Sequence, residues 1–301
     1  MSLPDLERKL RTARDCDQWI SALADFWSAH ELAFGHGTDN AGDEAFWLLR
    51  HLQDWRDVNF AAPPSPELVP RALAVVERRV AERKPLAYLL NEAWFAGLKF
   101  YVDERVLVPR SPLAEVVERG FAPWCELESG DCVLDIGTGS GCIAIAAAHY
   151  CPDIEVHATD ISADALAVAA RNVERHGVGN RVRLFEADLF PPGAERYRAI
   201  VSNPPYVPES EVAALPREYR HEPEIGLASG PDGFAAAERI VRGAAERLAP
   251  DGVLLLELGA GADAFAAAHP ELPLIALEFE RGGDGVLVTT AAELREFLRA
   301  R

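Results

Sequence analysis

Residues 133–148, VLDIGTGSGCIAIAAA, decide how the chain is read. The stretch begins as an apolar run of strand length, passes through glycines alternating with small polar residues, and ends in an alanine-rich apolar run of helical character. Gly137, Gly139 and Gly141 let the backbone turn sharply and approach a ligand closely, and the helix that follows points its first amides outward. A tight strand-to-helix turn has the same appearance without any ligand, so the loop alone does not specify one.

Working outward, strand-like and helical runs alternate from about residue 113: Cys132–Ile136, Ile154–Thr159, Val182–Glu186, Ala199–Ser202, Val253–Leu258, Leu274–Phe279 and Gly285–Thr290 read as strands. The expected fold is α/β, a Rossmann-like doubly wound sheet, with its ligand crevice beyond the carboxyl ends of the strands.

The residues at those ends carry chemistry. The strand after the glycine loop ends at Asp160, nineteen residues beyond Gly141, where a carboxylate accepts both hydrogen bonds of a ribose diol, and Ser162 reads as the N-cap of the next helix. The third strand runs into EADLF, placing Asp188 where it can accept from an adenine amine. These features suit a nicotinamide dinucleotide or S-adenosylmethionine. The loop is GxGxG rather than GxGxxG and no basic phosphate ligand accompanies it, which favours the cofactor lacking a pyrophosphate.

The fourth strand runs into AIVSNPPYVP, residues 199–208. Prolines fix φ and donate no amide hydrogen, so Pro204 and Pro205 hold the Asn203 side chain and the Pro204 carbonyl outward as two acceptors for one NH2 group. An amide or aromatic amine gripped in this way has its nitrogen oriented toward a methyl donor. Tyr206 can stack on the planar group and offer a cation–π contact to a sulfonium. Positioning and desolvation carry such a reaction, and no strong base is required.

The rest of the chain is organised around this core. Residues 1–90 read as a helical substrate-recognition domain: Trp19, Leu23, Phe26 and Trp27 share one face, as do Leu48, Leu52 and Trp55, then Leu73, Val76 and Val80. Residues 91–112 read as a hairpin linker, its β-prone runs AWFAGLKFYV and RVLVPR separated by Asp103-Glu104, and residues 113–301 as the catalytic domain.

In 301 residues, 30 basic side chains face 48 acidic ones, a formal charge of -18 that repels nucleic-acid phosphates and welcomes a basic protein. Five cysteines without a CxxC pair indicate buried reduced thiols, and the histidines show no metal-ligand spacing. With no leader-like segment and no long apolar run, a cytoplasmic location is the simplest expectation.

Taken together, these motifs resemble class I S-adenosylmethionine methyltransferases with an NPPY signature, and within them the protein-glutamine N5-methyltransferases related to HemK. FYVDERVLVPRSP (100–112) and LPREYRHEPEIGLASGPDG (215–233) resemble the branch acting on large-subunit ribosomal protein L-three. The sister branch, which acts on the GGQ loop of release factors, typically carries PRPETE where this chain has Pro109-Arg110-Ser111-Pro112-Leu113.

The resemblance implies that Gly137 to Gly141 (with Thr138, Gly139 and Ser140), Asp135, Asp160, Asp188, Leu189 and Asn203 line the cofactor site, and that Asn203, Pro204, Pro205 and Tyr206 hold the glutamine amide. It also puts Arg110, Tyr219, Arg220, His221 and Glu222 near the substrate mouth, where the plainer reading is a hairpin end and a surface loop. Two rivals stand beside it. An adenine N6-methyltransferase would use the same tetrapeptide but needs a basic groove. A non-catalytic adaptor would bind cofactor without turnover.

Overall fold

The computed structural model describes residues 1–53 and 59–300. Chain contacts divide it into two compact units: unit one is Met1–Glu92 with Pro216–His221, and unit two is Ala93–Leu215 with Glu222–Arg301.

Unit one contains α1 (Leu3–Thr12), α2 (Cys16–Ser28), α3 (Ala41–Leu52), α4 (Leu68–Glu82) and α5 (Leu86–Leu90). Ser2, Asp15 and Asn40 cap the first three, each accepting from a backbone amide of the first turn. The expected face of α2 is buried in full, at Trp19, Leu23, Phe26 and Trp27. Leu48 and Leu52 are buried on α3, and Trp55 lies outside the described residues.

The face of α4 differs from expectation. Val76 is buried, but Leu73 and Val80 are only half-buried, and the inward stripe is Val69, Ala72, Val76 and Arg79. Arg79 turns inward because acceptors wait for it. Its Nε donates to Glu44 at 2.6 Å, its Nη1 to Glu218 at 3.4 Å and its Nη2 to the Ala33 carbonyl at 2.8 Å. A charge 1 % exposed persists only when paired and hydrogen-bonded in this way.

Unit two opens with β1 (Ala93–Phe95) and β2 (Leu98–Phe100), an antiparallel pair. The hairpin therefore lies inside the first β-prone run rather than between the two runs. Ala96 and Gly97 both take positive φ, +48° and +70°, which is the geometry of a two-residue hairpin turn. Asp103 instead folds the chain locally by accepting from the Arg105 amide, and RVLVPR forms no strand.

There follow α6 (Leu113–Glu118), β3 (Cys132–Ile136), α7 (Cys142–Tyr150), β4 (Glu155–Asp160), α8 (Ala163–His176), β5 (Val182–Glu186), β6 (Tyr197–Ser202), α9 (Glu209–Val212), α10 (Ala235–Arg247), β7 (Leu248–Glu257), α11 (Ala262–Ala268), β8 (Ile275–Ala276), β9 (Val286–Thr290) and α12 (Ala291–Arg299). The seven-stranded sheet has the order β5-β4-β3-β6-β7-β9-β8. Its first five strands are parallel, and β9 runs antiparallel to both neighbours. The expected doubly wound α/β sheet is thus present. The sixth strand expected, over Leu274–Phe279, shrinks to the exposed edge pair Ile275–Ala276.

Both faces of the sheet are covered. Val133, Val156, Val201 and Leu255 pack with the apolar sides of α6 and α7, while Leu134, Ile200, Leu254 and Leu256 pack with α10, α11 and α12. The alanine-rich sequence of α7 lets that helix bury seven consecutive residues. After β5 at one edge, the chain returns to place β6 on the other side of β3, so the strand order reverses between β3 and β6. That reversal is where an open α/β sheet offers a crevice. All five cysteines are free, and no helix among the described residues is long and apolar enough to cross a membrane.

Candidate active site

A cavity of about 330 Å³ lies at the reversal, within unit two. Gly137, Gly139, Asp160, Asp188, Leu189, Asn203, Pro204 and Pro205 line it. The ends of four strands, separated in sequence, therefore meet around one space.

The glycine loop is held from behind. Asp135 is fully buried and accepts from the Thr138 hydroxyl at 2.6 Å and from the Ala144 amide at 3.1 Å, while its Oδ1 finds no partner. Burial pushes this carboxyl up to about 7. The Ser140 carbonyl accepts from Asn172 on α8, and a Cβ on Gly141 would stand 3.3 Å from that of Ala169, so this glycine is required for helix packing. Asp135, Thr138, Ser140 and Gly141 stand outside the lining and shape the loop. Gly137 and Gly139, both at positive φ, do line it, and a Cβ on either would meet no atom within 4 Å.

Asp160 closes β4 and accepts from the Gly139 amide through one oxygen and the Ser162 amide through the other, each at 2.9 Å. Burial raises its pKa, and these amides oppose the shift. Ser162 caps α8 as expected. Leu189 takes φ +71°, unusual for a branched side chain, and the Thr159 hydroxyl holds its carbonyl at 2.6 Å. Asp188 is about half exposed and pairs with Arg239 of α10 at 2.7 Å.

Beyond Ser202, whose hydroxyl ties β6 to the Ile136 carbonyl, Asn203 enters the cavity wall. Tyr206 lies outside the lining. Two glycines absent from the sequence expectations enclose it: a Cβ on Gly233 would meet the Tyr206 carbonyl at 2.3 Å, and one on Gly259 would meet its ring at 3.1 Å. Also unanticipated are the apolar walls Ile161 and Ile225, 54 % and 57 % exposed, and the segment Arg105–Leu107.

The residues expected at a substrate mouth are divided between the two units. Arg110 and Glu222 form a forked ion pair, one arm at 2.8 Å, and Glu222 also accepts from the Val108 amide. Tyr219, Arg220 and His221 belong to unit one, where the Tyr219 ring lies 4.5 Å from that of His36 and His221 Nε2 sits 3.0 Å from the Glu82 carbonyl. Chemically, the cavity offers a fixed carboxylate, exposed apolar faces and an asparagine followed by two prolines.

Residues 124–216 match the family described as the methyltransferase small domain. The chain is 46 % identical over 271 residues to a ribosomal protein uL3 glutamine methyltransferase of Neisseria gonorrhoeae, covering 87 % of this chain and 89 % of that one. It is 44 % identical over 294 residues to the protein of the same name from Bordetella pertussis, covering 95 % and 97 %. The chain belongs to the ribosomal protein uL3 glutamine methyltransferase family. Among solved structures it is similar to a methyltransferase from Pyrococcus furiosus, with 20 % identity, a TM-score of 0.47, and coverage of 65 % of this chain and 89 % of that one.

Proposed function

We propose that this member of the family transfers the methyl group of S-adenosylmethionine to the side-chain amide nitrogen of a glutamine in ribosomal protein uL3. The observation that carries the reading is the single cavity shared by Gly139, Asp160 and Asn203, which brings a donor site and an acceptor site within one enclosure.

The residues fit the donor. Gly137 and Gly139 leave open space for close approach, Asp160 keeps lone pairs for a diol beyond those its two amides use, and Ile161 and Ile225 offer apolar faces to a flat ring. Asp188 would receive the exocyclic amine, with Arg239 beside it. Bound there, the donor supplies an electrophilic methyl group on a sulfonium that leaves readily. Asn203 Oδ1 and the Pro204 carbonyl accept the two hydrogens of the target amide and turn its nitrogen toward that methyl, and Tyr206 walls the entrance.

The -18 formal charge favours encounter with a basic ribosomal protein. Unit one, with its own packed helices, is assigned to holding that protein. The arrangement suits cytoplasmic work on uL3.

The test offers labelled donor with uL3, a release factor and an adenine-containing duplex to the wild-type chain and to Asn203→Ala. Label on a uL3 glutamine, lowered at least about 100-fold in the variant at saturating donor, supports the reading. Label on the release factor alone assigns the chain to the sister activity, and label on the duplex alone overturns glutamine as the target.

A further inference from the structure

Methylating an amide nitrogen leaves one proton to be removed, and neither acceptor at Asn203-Pro204 has the basicity to keep it. The end of the neighbouring strand supplies a group that does. In the register of β6 and β7, Ser202 pairs with Leu256, so Asn203, the first residue beyond β6, and Glu257, the last of β7, follow that pair on neighbouring parallel chains. Such strands lie about 5 Å apart. Val201 and Leu255 pack in the same apolar cluster, alternation along β7 carries Glu257 to that same face, and Asn203 follows directly on the end of β6. Asn203 therefore has the donor cavity on its β3 side and Glu257 on its β7 side.

Glu257 is 5 % exposed and held in place by the Ser111 hydroxyl, which donates to its Oε2. A buried carboxyl with one neutral hydrogen bond is a costly way to fill space. The charged and titratable groups around it leave it free to titrate. Arg110, on the linker, favours the charged form but is forked onto Glu222. The thiol of Cys142, at the start of α7, is pushed up to about 12 and stays neutral. From β9 the paired residue is Val286. Burial brings Glu257 to about 7.

We infer that Glu257 is the proton acceptor of the transfer, its carboxylate held by Ser111 beside Asn203 to take the proton that the target nitrogen loses. The nitrogen lone pair forms the bond to the methyl carbon, and the carbon–sulfur bond breaks with its electrons going to sulfur. One N–H proton passes to the carboxylate, and the resulting acid releases it to water. This rests on the glutamine reading proposed above.

The experiment measures single-turnover methylation of uL3 across about pH 5 to 9 for the wild-type chain, Glu257→Gln and Ser111→Ala, with donor affinity and melting temperature beside it. The wild-type rate should rise with pH through a midpoint near 7. Glu257→Gln should fall about 100-fold and lose that rise while donor affinity holds. Ser111→Ala, which removes the hydrogen bond favouring the carboxylate, should move the midpoint upward, and it decides the matter if Glu257→Gln fails to fold. A Glu257→Gln profile like that of the wild type, or an unmoved midpoint in Ser111→Ala, overturns the inference alone. A wild-type chain that labels no glutamine overturns it together with the reading beneath it.

Discussion

The Asp160 carboxylate accepts the Gly139 amide at 2.9 Å, joining the end of β4 to the loop after β3. One side chain thereby fixes the cavity wall and offers itself to a ligand. Asp160→Ala should weaken donor binding about 10- to 100-fold, since bonds to charged groups contribute about 1.5–3 kcal/mol each. Asp160→Asn, which keeps one acceptor, should fall between. Isothermal titration of the donor checks both.

Asp135 predicts a pH dependence of stability. Unfolded, its carboxyl loses its proton near 4; folded, it does so at about 7. Across that window the unfolded chain binds fewer protons than the folded one, so this residue makes stability fall as pH rises. Asp135→Asn should remove that part of the fall and gain on the wild type by about 1–4 kcal/mol between about pH 5 and pH 8. Urea unfolding at the two pH values measures the difference, and an equal gap at both would refute it.

Gly259 predicts a selective loss of turnover. Its φ is +49° and a Cβ would stand 3.1 Å from the Tyr206 ring, so Gly259→Ala should displace that ring while leaving the donor cavity, which neither residue lines, as it is. Methyl transfer should drop at least about tenfold with donor affinity unchanged, in line with the sensitivity of transfer to small misplacements. A comparable loss of donor affinity would count against the assignment.

Two arginines of similar appearance in the sequence should differ in what they contribute to stability. Arg79→Ala leaves Glu44 buried without its partner and Glu218 with only the 3.7 Å contact of Arg83, and should cost about 3–5 kcal/mol. Arg239→Ala breaks an ion pair more than half exposed on both sides and should cost less than about 1 kcal/mol. Denaturant midpoints of the two variants make the comparison.

Much of this was legible in the sequence because it was local. The strand-loop-helix at 133–148, the cap at Ser162 and the polar residues at four strand ends follow from spacing along one chain, and the sheet then gathers them. What escaped is non-local. Arg79 reads as a surface residue until Glu44 and Glu218 arrive from elsewhere in the sequence, and the burial of Glu257 depends on a partner 146 residues away. The hairpin turns at Ala96-Gly97 because both residues take positive φ there, while Asp103 makes only a local bend through the Arg105 amide.

The membership of Pro216–His221 in unit one has a consequence for modularity. Because Glu218 comes from that distant segment, the helical unit is not encoded by one uninterrupted stretch of gene. A fragment ending at Glu92 would keep Arg79 and Glu44 but lose the second carboxylate of their cluster, along with the acceptor for the Ala33 amide. Grafting these helices onto another enzyme therefore means transplanting two pieces of sequence, and recombination at a single point would separate them.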